Sequence, residues 1–562
     1  MRPVDWLAVT VLLLFAAGLR IIGISHGQLD ARHFPSYAPF GMTHEQIPIH
    51  PDEFFSVGVP VNMALRNRLN PEVFYYPSFT INANFVMFQL TGALEGQSLA
   101  EREGRSLRAF ADFSLYVFAR MYSVFGGMLQ VACAYAITRM VASRYAALCA
   151  GLLVCCSYTL VQYAHYIKPG SLAAGWMMLA AWACFAALQA RREGSRKYAF
   201  LLAGVATGLA ATTRYNAFAV SPLLICAGLL LMVRHRSARI ARQVCFSWLL
   251  VPVVFAIGSP YVLRDFEHFL SEFAWVVRSY TNTTAEIVDY FEVDHTSGLA
   301  HLMLFAGQMS VGIAALGMAL LSTLAAWKER PQRERLYSNS LSLAVILICA
   351  VILPYILVAL RTIRLRSDAL LVLILPFFAV LAAIGADWLL RHIRLPSRLT
   401  MPILALVLVT QPLVFSVQVV RMFAQPDTRN IMLHWIHENI PRGSRFFLNG
   451  PYNVPLDEAL YPSDQQFLTY AESLPDANDY DYMLFSDVLA FDILRSQTVV
   501  PREVVDQQRE YLLILDQTYR RLAEIQRPVW TGAEAMVNMA AHWHNPTLIL
   551  YCVNPSYCER EQ

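Results

Sequence analysis

The segment WLAVTVLLLFAAGLRIIGI, residues 6–24, decides the class of this fold. It is nearly all apolar and matches the ~20 residues that a helix needs to cross a bilayer. Hydrophobic residues make up 56% of the 562-residue chain and charged residues only 15%, where a soluble protein carries about a quarter. No convincing small-residue cleavage site follows Ile24, so the sequence predicts a retained first span of a multi-spanning membrane protein.

Further apolar segments predict about eleven spans in all, joined by connections of very different lengths. After the first span they cover residues 115–138, 145–165, 171–190, 199–217, 218–233, 244–262, 301–326, 340–360, 368–390 and 399–420. The chain therefore divides into a membrane domain, residues 1–420, and a C-terminal soluble domain, residues 421–562.

The orientation follows from basic residues, which concentrate in cytoplasmic connections. With the N-terminus inside, every second short connection is rich in arginine and lysine. These residues are Arg139, Arg144, Arg191, Arg192, Arg196, Lys197, Arg234, Arg236, Arg239, Arg242, Lys328, Arg330, Arg333, Arg335, Arg391, Arg394 and Arg398. The pattern predicts that the loops 25–114 and 263–300 and the tail 421–562 lie outside the cytoplasm, in a periplasm-like or lumenal space.

The first long polar loop contains the run HPDEFF, residues 50–55. Acids beside aromatic surface at a membrane are costly unless they have a function, so Asp52 and then Glu53 are candidates for a catalytic acid or base. The alternative for Asp52 is that it caps a helix beginning near Glu53. Apolar residues at helical spacing predict one interfacial helix over 53–68, and a second is predicted over 78–94.

Five basic residues break the orientation pattern, because they fall in short connections on the predicted outer side. They are Lys168, Arg214, Arg361, Arg364 and Arg366. Cations on the same side as HPDEFF favour binding of a phosphate near the membrane surface. The alternative is that they extend to lipid headgroups. His50, Tyr76 and Tyr215 are candidates for a sugar or acceptor pocket, or else simple interfacial anchors.

The C-terminal tail alternates helix and strand patterns, which predicts a small α/β domain. Helices are predicted over Ile431–Ile440 and Arg509–Ile525, and strands over Arg445–Leu448, Asp481–Ser486 and Thr547–Val553. Cys552 and Cys558 lie close together in this tail. They form a disulfide if the tail is in an oxidising compartment and are free thiols otherwise.

Seven segments, in this order, resemble the GT-C membrane glycosyltransferases. They are NPEVFYYPSF (70–79), YVFARMYSVFGG (116–127), QYAHYIKPGSLAA (162–174), GVATGLAATTRYNAF (204–218), GSPYVLRDFEHF (258–269), RTIRLRSDALLVLILPFFAVLAA (361–383) and DTRNIMLHWIHENIPRGSRF (427–446). The resemblance is to the phospholipid carrier-dependent group, which includes protein O-mannosyltransferases and the aminoarabinose transferase of lipid A. It covers nearly the whole chain and implies a GT-C-like fold.

The resemblance implies transfer of a sugar, with inversion, from a polyprenyl-phosphate donor to a lipid, protein or polysaccharide acceptor. It implies that an acid of the first loop, here Asp52, deprotonates the acceptor. The chain departs from the family pattern at Gly170, where many members have an acid, and at Ser367, where a tyrosine usually follows the arginine. A bacterial inner membrane is the expected location.

Two other function classes remain open from the sequence. One is a transporter or flippase for a lipid-linked molecule, whose usual sign is acids or broken helices at mid-membrane. The other is a non-catalytic assembly subunit. The acids cluster in the predicted outer loops, which favours chemistry at the membrane surface. A net charge of +3 gives no indication of a nucleic-acid partner, and the sequence does not decide whether a divalent metal takes part.

Overall fold

The computed structural model describes most of the chain at the level of individual residues. The described residues are 3–27, 53–90, 113–281, 311–328, 340–362, 371–394, 396–449, 453–454, 456, 459–466, 474–487, 502–526 and 546–558.

Most described residues of the N-terminal part of the chain are helical, and residues 66–77 of the first polar loop are turns and irregular backbone. The helices are α1 (Pro3–Ile21), α2 (Glu53–Leu65), α3 (Phe79–Leu90), α4 (Phe113–Val141), α5 (Arg144–Cys156), α6 (Tyr158–His165), α7 (Pro169–Gln189), α8 (Glu193–Thr213), a 3-10 turn (Tyr215–Val220), α9 (Ser221–His235), α10 (Ala238–Gly258), α11 (Tyr261–Arg264), α12 (Phe266–Thr281), α13 (Ile313–Lys328), α14 (Ser340–Thr362), α15 (Leu375–His392) and α16 (Ser397–Ala424).

The multi-spanning architecture is confirmed. Within the described ranges, seven helices are long and apolar enough to cross a membrane, and the bent pair α5–α6 makes an eighth. Each of the eleven predicted segments contains a helix. Of these helices, α8 does not meet that test, and α13 and α14 are apolar over the shorter stretches Ala314–Leu324 and Ala344–Leu357. Helices α2 and α3 confirm the two helices predicted in the first polar loop. α2 ends at Leu65, a few residues earlier than predicted, and residues 91–94 of the second predicted helix lie outside the described residues.

The pair α5–α6 bends by 51° at Ser157. A break of this kind frees the last carbonyl groups of α5, which have no water to bind inside a bilayer. The fully buried Arg20 of α1 donates to the carbonyl oxygens of Val154 and Cys155, at 3.0 and 3.2 Å. Ser416 of α16 donates to the carbonyl oxygen of Cys156 at 2.8 Å. Side chains from two other helices therefore cap the break.

Helices α4 and α7 pack with their backbones almost in contact. A Cβ at Gly126 would lie 2.5 Å from Leu172 Cα, and a Cβ at Gly175 would lie 2.7 Å from the carbonyl oxygen of Gly126. These distances leave no room for a methyl group, so the two glycines allow α4 and α7 to pack this closely. This line of contact is called the glycine seam below.

The C-terminal tail contains helices and a five-stranded sheet of order β2-β1-β3-β5-β4. The elements are α17 (Thr428–Asn439), β1 (Phe446–Asn449), β2 (Ser463–Gln466), β3 (Tyr482–Ser486), α18 (Arg502–Thr518), β4 (Arg520–Ile525), β5 (Leu548–Cys552) and α19 (Pro555–Cys558). Strands β2 and β3 flank β1 in parallel, whereas β5 pairs antiparallel with β3 and β4.

Most elements predicted in the tail are confirmed, with one correction. The helix predicted over Arg509–Ile525 ends at Thr518, and residues 520–525 form the strand β4. Pairing with the buried strand β5 outweighs the local helical pattern there. A disulfide joins Cys552 and Cys558. The division of the chain into two domains stays a prediction.

Candidate active site around the first polar loop

Glu53, the first residue of α2, is fully buried in an ion pair with Arg120 of α4. The pair is bidentate: Arg120 Nε donates to Oε1 and Nη2 to Oε2, both at 3.0 Å. The backbone N–H of Ile167 also donates to Oε1, at 3.1 Å. Three donors and complete burial are typical of a structural anchor, and a catalytic role for Glu53 stays a prediction.

Arg120 connects this anchor to the end of the first helix. Its Nη1 donates to the carbonyl oxygens of Ile24 and His26, at 2.8 and 2.9 Å. One guanidinium group thus holds the chain after α1, the start of α2 and, through Glu53, the turn before α7. Arg120 was not among the residues predicted for the site. The available signal was a lone arginine in the apolar segment 115–138, since an ionisable residue inside a span is rarely without a function.

The residues Lys168 and Arg214 lie at helix ends close to Gly170. Lys168 directly precedes α7, and its ammonium group lies 5.3 Å from the ring centre of Tyr163. Arg214 directly follows α8, and a Cβ at Gly170 would lie 3.0 Å from its Nη1 and 3.5 Å from Cγ1 of Val372. The guanidinium group of Arg214 therefore occupies the space beside Gly170.

The first polar loop contains a run of three aromatic residues, Phe74, Tyr75 and Tyr76, called the aromatic run below. Side chains from distant segments hold it in place. The hydroxyl of Tyr215 donates to the carbonyl oxygen of Phe74 at 3.0 Å. The ring of Tyr75 meets that of Trp275 edge-on, with 5.2 Å between ring centres. Burial, and then the Glu272 carboxylate, raise the pKa of the Tyr75 hydroxyl above its ordinary value. Tyr76, the next residue, is half-buried.

Several predicted site residues lie outside the described part of the chain. They are His50, Asp52, Arg364 and Arg366. Arg361 lies in α14, but its side chain is outside the described set. The structure brings the buried pair Glu53–Arg120 together with the turn that carries Lys168. Glu53 directly follows Asp52 in the chain. Within the described ranges, no three His, Cys, Asp or Glu side chains are grouped as metal ligands.

This arrangement suits a reaction at a polar surface set into a membrane protein. The pair Glu53–Arg120 provides rigid support, because a charged pair enclosed in protein tolerates little displacement. Lys168 and Arg214 provide positive charge at the ends of two helices, and the aromatic run provides flat rings with hydroxyl groups. Such cations stabilise a leaving phosphate, and such rings bind sugars by stacking and hydrogen bonds.

Residues 87–267 match the family model described as dolichyl-phosphate-mannose-protein mannosyltransferase. No curated protein sequence matches the chain.

The chain is also similar to solved structures of low sequence identity. ArnT from Cupriavidus metallidurans bound to undecaprenyl phosphate gives a TM-score of 0.46 at 12% identity, covering 98% of each chain. The archaeal oligosaccharyltransferase AglB from Archaeoglobus fulgidus, in complex with an inhibitory peptide and a dolichol-phosphate, gives 0.49 at 10% identity, covering 93% of this chain and 73% of that chain. The mycobacterial arabinofuranosyltransferase AftD gives 0.42 at 14% identity, covering 99% of this chain and 42% of that chain.

Proposed function

We propose that this chain is a membrane glycosyltransferase whose residues 87–267 form a domain similar to the dolichyl-phosphate-mannose-protein mannosyltransferases. It transfers a sugar from a polyprenyl-phosphate carrier to a hydroxyl acceptor. The sugar is a hexose or a pentose. The acceptor is a lipid, a protein or a polysaccharide, and the reaction takes place on the extracytoplasmic face of a bacterial inner membrane.

The buried anchor Glu53–Arg120 is the observation that supports this proposal most strongly. It ties the first polar loop to the membrane helices one residue after the candidate base Asp52. Through the backbone N–H of Ile167 it also ties the same loop to the turn before Lys168. A base on one side of this anchor and a phosphate-binding cation on the other meet the two requirements of the transfer. In this scheme Glu53 is a positioning residue.

The reaction needs one proton transfer and one displacement. The Asp52 carboxylate accepts the proton of the acceptor hydroxyl while the acceptor oxygen forms a bond to the anomeric carbon. The bond between that carbon and the carrier phosphate breaks, with inversion, and polyprenyl phosphate leaves. Lys168 and Arg214, together with Arg361, Arg364 and Arg366, stabilise the charge on the departing phosphate. His50, Tyr76 and Tyr215 shape the pocket for the sugar or the acceptor.

The proposed location follows from the distribution of basic residues. With the N-terminus in the cytoplasm, the first polar loop and the C-terminal sheet lie on the opposite side of the membrane. The disulfide Cys552–Cys558 agrees with an oxidising compartment. A cysteine introduced at Ser463 should therefore react with an impermeant reagent in intact cells, and labelling only after permeabilisation would reverse the orientation.

The variant Asp52→Asn tests the base directly. We expect kcat to fall by about 10²- to 10⁴-fold, since asparagine keeps the size of the side chain but does not accept the proton. Purified protein would be assayed with polyprenyl-phosphate sugars and its membrane extract as the acceptor source. Asp52→Glu is the control that restores a carboxylate. Unchanged turnover in Asp52→Asn would show that another group is the base.

A further inference from the structure

We propose that helix α12 holds the aromatic run of the first polar loop in place, with Glu272 as a positioning residue for the pocket. The inference rests on the proposed function at one point, which is the assignment of the aromatic run to the sugar or acceptor pocket. The attachment itself consists of polar and aromatic contacts between α12 and residues 70–75.

The peptide groups of Phe74 are the centre of the attachment. Its backbone N–H donates to a carboxylate oxygen of Glu272, and its carbonyl oxygen accepts from the Tyr215 hydroxyl at 3.0 Å. Phe74 is fully buried, so both backbone groups need partners. The partners come from two segments far along the chain, which fixes the orientation of the backbone on both sides of Phe74.

A second polar contact lies one residue before α12. The side-chain amide of Asn70 donates to Asp265 Oδ2 at 3.0 Å. His268 lies between the two acids, with Nδ1 3.5 Å from Asp265 and Nε2 3.5 Å from Glu272. Residues spaced by three and four lie on one face of a helix. One face therefore presents a row of polar groups to the loop.

The aromatic contacts follow the same face. The ring of Phe74 meets His268 and Phe269 edge-on, with 5.4 and 6.1 Å between ring centres. The opposite face carries apolar side chains that are about half exposed: Phe266 at 52%, Leu270 at 50% and Val277 at 43%. An apolar outer face is typical of a helix that lies at a membrane surface. α12 is thus placed between the loop and the lipid.

Glu272 positions the pocket without contacting reacting atoms. It fixes the backbone of Phe74, and Tyr75 and Tyr76 follow directly in the chain. Loss of the carboxylate should therefore raise KM for the sugar donor or the acceptor more than it lowers kcat. Glu272→Gln keeps an oxygen that accepts from the Phe74 N–H, so it should restore most of what Glu272→Ala loses.

Amide hydrogen exchange of peptides covering residues 70–78 tests the attachment independently of catalysis. The full-length protein would be compared in detergent as wild type, Glu272→Ala, Glu272→Gln and Glu267→Ala. Glu267 is on the same helix and exposed, so its replacement removes the same charge without the contact. We expect exchange at Phe74 to rise about tenfold or more in Glu272→Ala, as a charge-assisted hydrogen bond is lost, and to stay near wild type in the other two.

Three outcomes would overturn the inference. They are unchanged exchange in Glu272→Ala, an equal increase in Glu267→Ala, and an increase in Glu272→Gln as large as in Glu272→Ala. If Glu272→Ala exchanges faster throughout α4 as well, Asn70→Ala replaces it, because that variant removes only the contact to Asp265 at the start of α12. The same rise in exchange over residues 70–78 is then expected, and its absence counts as the first of these outcomes. If residues 70–78 are protected in the wild type and turnover is unchanged in Asp52→Asn, the catalytic scheme fails and the attachment stands.

Discussion

Arg20 and Arg120 are both fully buried, yet the protein accommodates their charges in different ways. Arg120 faces the carboxylate of Glu53 with two hydrogen bonds. The hydrogen bonds of Arg20 within the described residues all go to carbonyl oxygens, those of Ala16, Val154 and Cys155. One arginine binds a full opposite charge and the other binds the end of a broken helix.

The difference separates two functions of buried charge. The end of a helix carries partial negative charge on its free carbonyl groups, so a cation there is favourable and also replaces missing donors. Arg20 thus allows a span to bend inside the membrane. The pair Arg120–Glu53 instead joins a polar loop to the helix bundle, and removal of either member leaves an uncompensated charge.

Of the substitutions that test this comparison, Glu53→Ala should have the largest effect on the free energy of unfolding. It leaves Arg120 buried without its counter-charge, which should lower the free energy of unfolding by about 3–5 kcal/mol. Thermal unfolding in detergent would measure this loss. The double variant Glu53→Ala with Arg120→Met should lose less than the sum of the losses in Glu53→Ala and Arg120→Met alone, and additive losses would show that the charge is not the cause.

Arg20→Met should have an intermediate effect. The change removes the donors for two buried carbonyl groups but leaves no charge behind, so we expect a loss of about 2–3 kcal/mol in the same unfolding assay. Ser416→Ala removes one donor from the same break and should cost about 1 kcal/mol. A loss in Arg20→Met as large as in Glu53→Ala would remove the distinction between the two sites.

Gly127→Ala should have a small effect, similar to that of Ser416→Ala, and should act through Arg20. A Cβ at Gly127 would lie 2.5 Å from Arg20 Nε, so the guanidinium group has to shift. We expect a loss of about 1 kcal/mol that is absent in an Arg20→Met background, as a double-mutant cycle would show. Gly18→Ala in α1, where no atom lies within 4 Å, is the control. Equal losses in the wild-type and Arg20→Met backgrounds would mean that the added methyl group at residue 127 does not act through Arg20.

Hydropathy and periodicity predicted the helical framework because those signals are local. All the predicted spans contain helices, and the strands β1, β3 and β5 lie where alternation and β-branched or aromatic residues indicated them. The strands β2 and β4 escaped prediction. Their sequences, SDQQ and RRLAEI, are polar or helix-favouring, and they are strands through pairing with neighbours.

The sequence proposes the residue types of the candidate site, whose roles stay predictions, and does not display their pairings. Basic residues that break the orientation pattern pointed to Lys168 and Arg214, and the structure places both at helix ends beside Gly170. The bonds from Arg120 to Glu53 and from Phe74 to Glu272 join residues 67 and 198 positions apart. Contacts at such separations depend on how the helices pack, which a single sequence does not display.

The glycine seam between α4 and α7 bears on how a lipid substrate moves through the membrane. The backbones at Gly126 and Gly175 approach so closely that a single methyl group does not fit between them. A hydrocarbon chain therefore has no passage along this line of contact. A carrier lipid of the proposed kind must enter and leave on another side of the bundle, and a covalent cross-link across the seam should leave its traffic unchanged.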